Sequence, residues 1–240
     1  YDRTGQPHDG DYFLSFDEEH MVRQVLAAFS RVIVVLNTGG MMDTLWFKDQ
    51  PSIGAALLAW QGGMEGGLAA ADILVGDACP SGHLTDTFAS SFAAYPSSGN
   101  FAESPLYVEY QEDVFVGYRY FETIPGAADA VCYPFGYGLS YTTFALSDIS
   151  GRLSSDAGEL SISAKVTNTG ACAGKYVLQA YVNPPRGRIA KPATTLVGFA
   201  KTHLLEAGES ETLRIVFDPY TFATYDDEGV IQKSAYVLEK

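Results

Sequence analysis

Ala59–Phe88 reads AWQGGMEGGLAAADILVGDACPSGHLTDTF. Within it, Glu65 to Val75 reads as a helix entered through Gly62, Gly63, Gly66 and Gly67; tight turns and close helix packing both select glycine at such an entry. Ala55 to Trp60, just before, reads as a buried strand. Upstream, Val32 to Leu36, VIVVL, is an apolar β-branched run of the kind buried on both faces of a parallel sheet. Asn37 to Gly40 forms the loop at its C-terminal end. A helix over Asp17 to Phe29 precedes it, because Ser15 and Glu18 make an S-x-x-E capping box and Val22, Val25, Leu26 and Phe29 recur at helical spacing. This alternation implies an α/β sandwich, a mostly parallel sheet with helices on both faces. Ligands of such a sheet bind outside the carboxyl ends of its strands, here the loops around Asn37 and Trp60 to Gly63.

From Gly151 onward the pattern changes to short alternating segments, Leu160–Thr167, Tyr176–Asn183, Thr194–Thr202 and Glu211–Asp218. Turn-rich stretches such as NTGACAGK and NPPRGR separate them. This pattern predicts an all-β fibronectin type III or immunoglobulin-like sandwich. The division expected is residues 1–146 for the α/β domain and 147–240 for the β-sandwich.

Composition narrows the function classes. The 240 residues are 47% hydrophobic and 18% charged, enough for one large or two ordinary cored domains. No run approaches the roughly 18 apolar residues that cross a bilayer, so no membrane partner is expected. A formal charge of −14 opposes nucleic acid, whose phosphates need clustered Lys and Arg. Cys79, Cys132 and Cys172 are far apart without a CxxC pair and fit buried free thiols, which lean towards a reducing compartment. His8, His20, His83 and His203 are scattered, so no metal is expected, and GGMEGG lacks the P-loop lysine, so no phosphate-bearing cofactor is expected either.

Three segments together carry a family likeness: LNTGG at Leu36–Gly40, the Ala59–Phe88 stretch, and YQEDVFVGYRY at Tyr110–Tyr120 followed by FGYGLSYT at Phe135–Thr142. In this order they resemble the non-barrel half of family 3 glycoside hydrolases, the β-glucosidase and β-xylosidase group. LVGFAK at Leu196–Lys201 with LEAGES at Leu205–Ser210 resembles the fibronectin-like domain attached to many of them. The resemblance implies part of an exo-acting retaining β-glycosidase, a β-glucosidase in preference to a xylosidase or arabinosidase. Its partners would be a carbohydrate substrate and a (β/α)₈ barrel in the same polypeptide or a companion chain, and a homo-oligomer is compatible. Relatives carry S-G-E-G ahead of YDR and a further strand after SAYVLEK. The resemblance therefore implies an α/β domain incomplete at its N-terminus and a β-sandwich lacking its last strand. The alternative is a non-catalytic carbohydrate-binding or assembly module.

Retaining glycosidases use two carboxyl groups about 5–5.5 Å apart. The resemblance implies that both lie outside this chain: the nucleophile Asp on the barrel, which needs about 250 residues of its own, and the acid/base Glu just ahead of Tyr1. Asp2 and Arg3 would belong to the loop carrying that Glu. Glu112, beside Asp113, is the remaining acidic candidate near substrate, although adjacent residues of a strand face opposite sides. Arg119 is expected to pair with a carboxylate while Tyr118 and Tyr120 pack. Among the aromatic residues, Trp46, Phe101, Tyr107 and Tyr110 are candidates for the rim of a substrate cleft, since aromatic faces suit the C–H faces of pyranose rings. His83 and Thr85 stand where many relatives have Lys and Pro.

Overall fold

The computed structural model describes residues 12–101, 103–153, 160–184, 187, 189–225 and 236–237. The chain forms two compact units, one running to Ala78 and resuming over Leu84–Gly136, the other made of Cys79–His83 and the chain from Tyr137 onward.

In the first unit, helix α1 (Phe16–Ala28) starts where its cap dictates. The Ser15 hydroxyl accepts from the Glu18 N–H, and the Glu18 carboxylate accepts from the Ser15 N–H at 2.8 Å, completing the predicted capping box. The Ser15 N–H, and after it the Ser15 hydroxyl donating at 2.8 Å, hold the Glu18 carboxyl below its ordinary range. Strand β1 (Val32–Leu36) follows, then the one-turn helix α2 (Leu45–Lys48) and strand β2 (Ile53–Leu58), parallel to β1 with Val34 opposite Ala56 and Leu36 opposite Leu58. Helix α3 (Gly66–Val75) is entered through Glu65 and stopped by Gly76, whose φ of 87° is the left-handed C-terminal cap.

Two observations bear on the expected sheet. Among the described residues, parallel pairing is confined to β1 and β2, and every other strand pairing is antiparallel. Strand β1 is not buried on both faces: Ile33 is 56% exposed and Val35 44%. Phe16, Met21 and Phe29 of α1 and its cap, and Leu68 and Val75 of α3, are exposed as well.

The core of this unit lies further along the chain. Strand β3 (Phe88–Ala89) pairs with β4 (Val131–Tyr133), and both residues of β3 are buried. Around it stands an aromatic cluster in which Tyr12 meets Phe92 and Tyr95 edge-on at 5.4 and 6.2 Å, and Tyr95 meets Phe121 at 5.9 Å. The Tyr95 hydroxyl accepts from the Ala89 N–H at 2.8 Å and donates to the Thr87 carbonyl at 3.2 Å, so this half-buried phenol is satisfied by backbone. Phe121 lies on helix α4 (Tyr118–Thr123).

The second unit is all-β where described. Strands β5 (Phe144–Leu153), β6 (Leu160–Asn168) and β9 (Ser210–Phe217) form an antiparallel sheet in the order β5-β6-β9, while β7 (Val177–Val182) pairs with β8 (Thr195–Lys201). Strand β9 shows the two-residue period: Leu213, Ile215 and Phe217 are buried and Thr212, Arg214 and Val216 face out. With Ala164, Val166, Leu178, Ala180, Val197 and Leu205 they form one core. The four predicted strands correspond to β6 through β9, whereas β5 is absent from the sequence reading. A short antiparallel pair joins β10 (Thr224–Tyr225) to β11 (Tyr236–Val237). Residues 226–235 and 238–240, on which the expectation of a missing last strand bears, lie outside the described residues.

Asn168 ties the loops of this unit together. Fully buried, it accepts from the Thr142 hydroxyl at 2.7 Å and the Gly170 N–H at 3.1 Å, and its amide donates to the carbonyls of Cys172 and Leu205 at 2.9 and 2.8 Å. The Cys79–His83 segment is held by the Cys79 thiol against the Ser140 hydroxyl at 3.1 Å and by Lys201, which donates to the Ser81 carbonyl at 3.2 Å.

Candidate functional site

The carboxyl ends of β1 and β2 carry two loops that are built onto each other. The Ala59 N–H donates to the Leu36 carbonyl at 2.9 Å, extending the parallel ladder into the loops. The Thr38 hydroxyl closes its own turn by donating to the Gly40 carbonyl at 3.2 Å. The Gln61 amide lies across Gly39: a Cβ there would stand 2.8 Å from Gln61 Nε2, the free end of a flexible side chain that can swing aside. Gly62 is the position that contact requires to be glycine, since its Cβ would stand 2.7 Å from the backbone Cα of Gly66 at the start of α3. Between these two glycine contacts sits Trp60, half-buried, with φ of 52°. A bulky residue in the left-handed region is a genuine outlier, of the kind that surrounding structure must over-determine and that clusters at functional sites.

A groove of ≈ 540 Å³ opens beside these loops, lined by Met21, Val22, Val25 and Leu26 of α1, by β1, and by Asn37, Thr38, Met42 and Trp46. Trp46 lies on α2, not in a loop, and packs edge-on against Phe47 at 4.9 Å. Its indole N–H is buried and finds no hydrogen-bond partner among the described residues. Indole N–H groups are normally partnered when buried, so this is a donor aimed at nothing within the described chain.

The other candidates are gathered on one loop, Phe101 to Glu112. Phe101, Tyr107 and Tyr110 are all exposed, and Glu112 is half-buried. No hydrogen bond or ring contact among the described residues joins Trp46 to any of these four. The segment around Glu112 and Asp113 is not a strand: the Asp113 N–H donates to the Tyr110 carbonyl, the Phe115 N–H to the Glu112 carbonyl, and Asp113 has φ of 48°. The alternation argument for these two carboxylates therefore does not apply. Arg119, expected to pair with a carboxylate, instead stands 5.9 Å above the Tyr118 ring, and makes no ion pair among the described residues. Tyr118 in turn stacks on Phe135 at 4.7 Å. Asp2 and Arg3 lie outside the described residues.

The sequence marks Trp60 as the end of a strand and the start of a ligand-side loop, but nothing in its neighbours announces its positive φ, and β2 ends earlier, at Leu58. Sequence reasoning missed the Tyr12–Tyr95 pair, where burial is the main force raising both phenols above their ordinary range. Among the described residues no group of three or more His, Cys, Asp and Glu side chains could hold a metal ion.

Comparisons with known proteins agree with this geometry. Residues 4–141 match the glycosyl hydrolase family 3 C-terminal domain and residues 176–239 a fibronectin type III-like domain. The chain is 50% identical over 244 aligned residues to β-glucosidase A of Butyrivibrio fibrisolvens, covering 96% of this chain and 29% of that protein. It is 43% identical to a β-glucosidase of Ruminococcus albus over 92% of this chain and 23% of that protein. The crystal structure of a β-glucosidase from Paenibacillus barengoltzii superposes with a TM-score of 0.89 at 42% identity, covering all of this chain and 26% of that one. The chain thus spans under a third of the length of the relatives it matches. With more than half its length matched by the family's own domain, the chain belongs to glycosyl hydrolase family 3.

Proposed function

We propose that this chain is part of an exo-acting retaining β-glycosidase, a β-glucosidase, that removes terminal β-linked sugars in two steps. The observation that carries the reading is the 50% identity, over nearly the whole chain, to a protein named as a β-glucosidase. In this reading the nucleophile Asp sits on a (β/α)₈ barrel and the acid/base Glu just ahead of Tyr1, both outside these residues. The chain divides near residue 146 into an α/β domain and a fibronectin-like β-sandwich. The parallel pair β1–β2 belongs to a mostly parallel sheet with helices on both faces, completed by strands from outside these residues. Exposed Ile33 and Val35 on β1, and the exposed apolar residues of α1 and α3, support that completion.

The described residues then contribute shape and not the reacting carboxylates. Asp2 and Arg3 steady the loop bearing the acid/base, and Trp46, with its unpartnered indole N–H, supports the carboxyl end of β1. Phe101, Tyr107, Tyr110 and Glu112 share one loop, which supports a common role at the edge of the domain. The test is hydrolysis of an aryl β-glucoside by the full-length gene product, with the 240-residue segment alone as control. The full-length protein is expected to hydrolyse it with retention of configuration and the segment not at all. Hydrolysis by the segment at enzymatic rates overturns the placement of the carboxylates. A full-length protein that binds glucose or cellobiose without cleaving any aryl β-glycoside overturns the enzymatic reading in favour of a binding module.

A further inference from the structure

The loop that gathers the aromatic candidates has a construction of its own. Asn100 Nδ2 donates to the Glu109 carbonyl at 2.8 Å, so the two ends of the segment meet. Inside it the Leu106 N–H donates to the Ser104 hydroxyl at 3.1 Å, the Gln111 N–H to the Glu109 carbonyl at 3.0 Å and the Asp113 N–H to the Tyr110 carbonyl at 3.2 Å. Compact surface loops with joined ends and local hydrogen bonds are frequently functional. What this one displays is apolar: Leu106 is 91% exposed, Val108 69% and Tyr110 87%. Three such side chains held outward within five residues form a surface that water does not favour.

The loop that carries the patch is acidic: Glu103, Glu109, Glu112 and Asp113 stand beside these residues in the chain, the first two and Asp113 exposed, and no Lys or Arg occurs between Phe101 and Val116. This charge selects the occupant. Two copies meeting through the same patch would oppose carboxylate to carboxylate, and an anionic lipid surface would be repelled. Sugar rings stack on flat aromatic faces, which Tyr107 and Tyr110 offer, but Leu106, at 91% the most exposed of the stretch, and Val108 are aliphatic and add apolar surface without a ring face. A protein surface with an apolar centre and a rim of Lys and Arg fits. The proteins this chain matches are more than three times its length, since it spans 29% of β-glucosidase A. A tethered surface in the same polypeptide meets the loop at high effective concentration.

We infer that the Leu106–Tyr110 loop docks on the part of the enzyme lying outside these 240 residues, against an apolar patch ringed by Lys and Arg. The inference rests on reading the chain as part of a longer family 3 glycosidase. Hydroxyl-radical footprinting of the full-length enzyme tests it, each side chain being referred to its own labelling rate in the enzyme unfolded by denaturant. Leu106 and Tyr110 are expected to label several-fold more slowly in the native enzyme, equally at low and high protein concentration and with or without cellobiose. The double variant Glu109→Lys with Glu112→Lys is expected to restore much of the labelling, because it repels the basic rim. Full labelling in the native enzyme overturns the inference. Protection that appears only on adding cellobiose overturns it in favour of a sugar site, and protection that grows with protein concentration in favour of a self-contact. Hydrolysis of the aryl β-glucoside, read on the same preparation, separates this outcome from the fate of the functional reading.

Discussion

Asn168 concentrates the second unit's polar bookkeeping in one side chain. Its amide satisfies the Thr142 hydroxyl, the Gly170 N–H and two carbonyls in a place with no water access. Asn168→Ala leaves the buried Thr142 hydroxyl and the Gly170 N–H without their acceptor, while the Leu205 carbonyl keeps the Gly174 N–H at 3.0 Å; each orphaned buried group costs about 1–3 kcal/mol. A loss of about 2–4 kcal/mol is expected after local relaxation, read as a lower denaturant midpoint with unchanged slope. Two histidines of the same unit give it opposite pH slopes. His203 stands 3.0 Å from Glu209 and 2.8 Å from Glu211, and these carboxylates, Glu209 first, hold its imidazolium above the ordinary 6.5. Its contribution is full below pH 6.5 and is lost as pH rises through the folded value. His83 is pushed below 6.5, mainly by burial and also by Lys201. It opposes folding as pH falls through 6.5, because the unfolded chain then binds the proton more readily. His203→Gln should therefore remove stability lost on the alkaline side, and His83→Gln stability lost on the acid side. Unfolding midpoints between about pH 5 and 8 check both signs.

At the scale of elements, α1 depends on its cap more than on packing, since none of its residues is fully buried. Ser15→Ala removes the acceptor for the Glu18 N–H and half of the reciprocal box, an expected cost of about 1 kcal/mol. Reduced hydrogen-exchange protection over residues 16–20, with residues 24–28 less affected, is the measurement. This helix was legible from sequence because its signal is local: Ser15 and Glu18 stand three apart and the apolar period follows. Strands β6 to β9 were legible for the same reason, each an alternating run between turn signals. Strand β5 was not, because Ser147, Asp148, Ser150 and Gly151 interrupt the apolar alternation that marks the other strands. The structure accommodates them with a register shift between Ser147 and Ser150, where Asp148 takes φ of 51°. The turn at Glu112–Asp113 was hidden for another reason: VFV and YRY carry the β-branched and aromatic residues that strands favour, and here they serve a loop and the start of α4. At the candidate site the glycines of GGMEGG were visible, but the backbone contact that demands one of them, Gly66 Cα against Gly62, arises only when the chain turns into α3.

At the scale of the whole molecule, the two units differ in how far each closes its own core. The β-sandwich unit surrounds nine buried hydrophobic residues drawn from β6 to β9 and the Leu205 turn. Around β1, by contrast, Ile33, Val35, Met21 and Phe29 remain exposed, and α3 likewise has no buried residue. Exposed apolar surface on this scale marks a face that something else covers, and the relatives' greater length supplies a source. The separated 240-residue chain is accordingly expected to bind an apolar dye such as ANS strongly and to associate as its concentration rises. Its formal charge of −14 opposes association at low salt, so added salt should promote it. The full-length enzyme should bind far less dye per copy. Changing Ile33 and Val35 to Thr keeps the β-branched backbone preference of the strand while lowering its apolarity. That variant should bind less dye as the isolated chain and melt at a lower temperature as the full-length enzyme, because the same two side chains would there be part of a core. If the isolated chain bound no dye and the variant left the full-length melting temperature unchanged, β1 would be a finished edge and not the inner strand of a larger sheet.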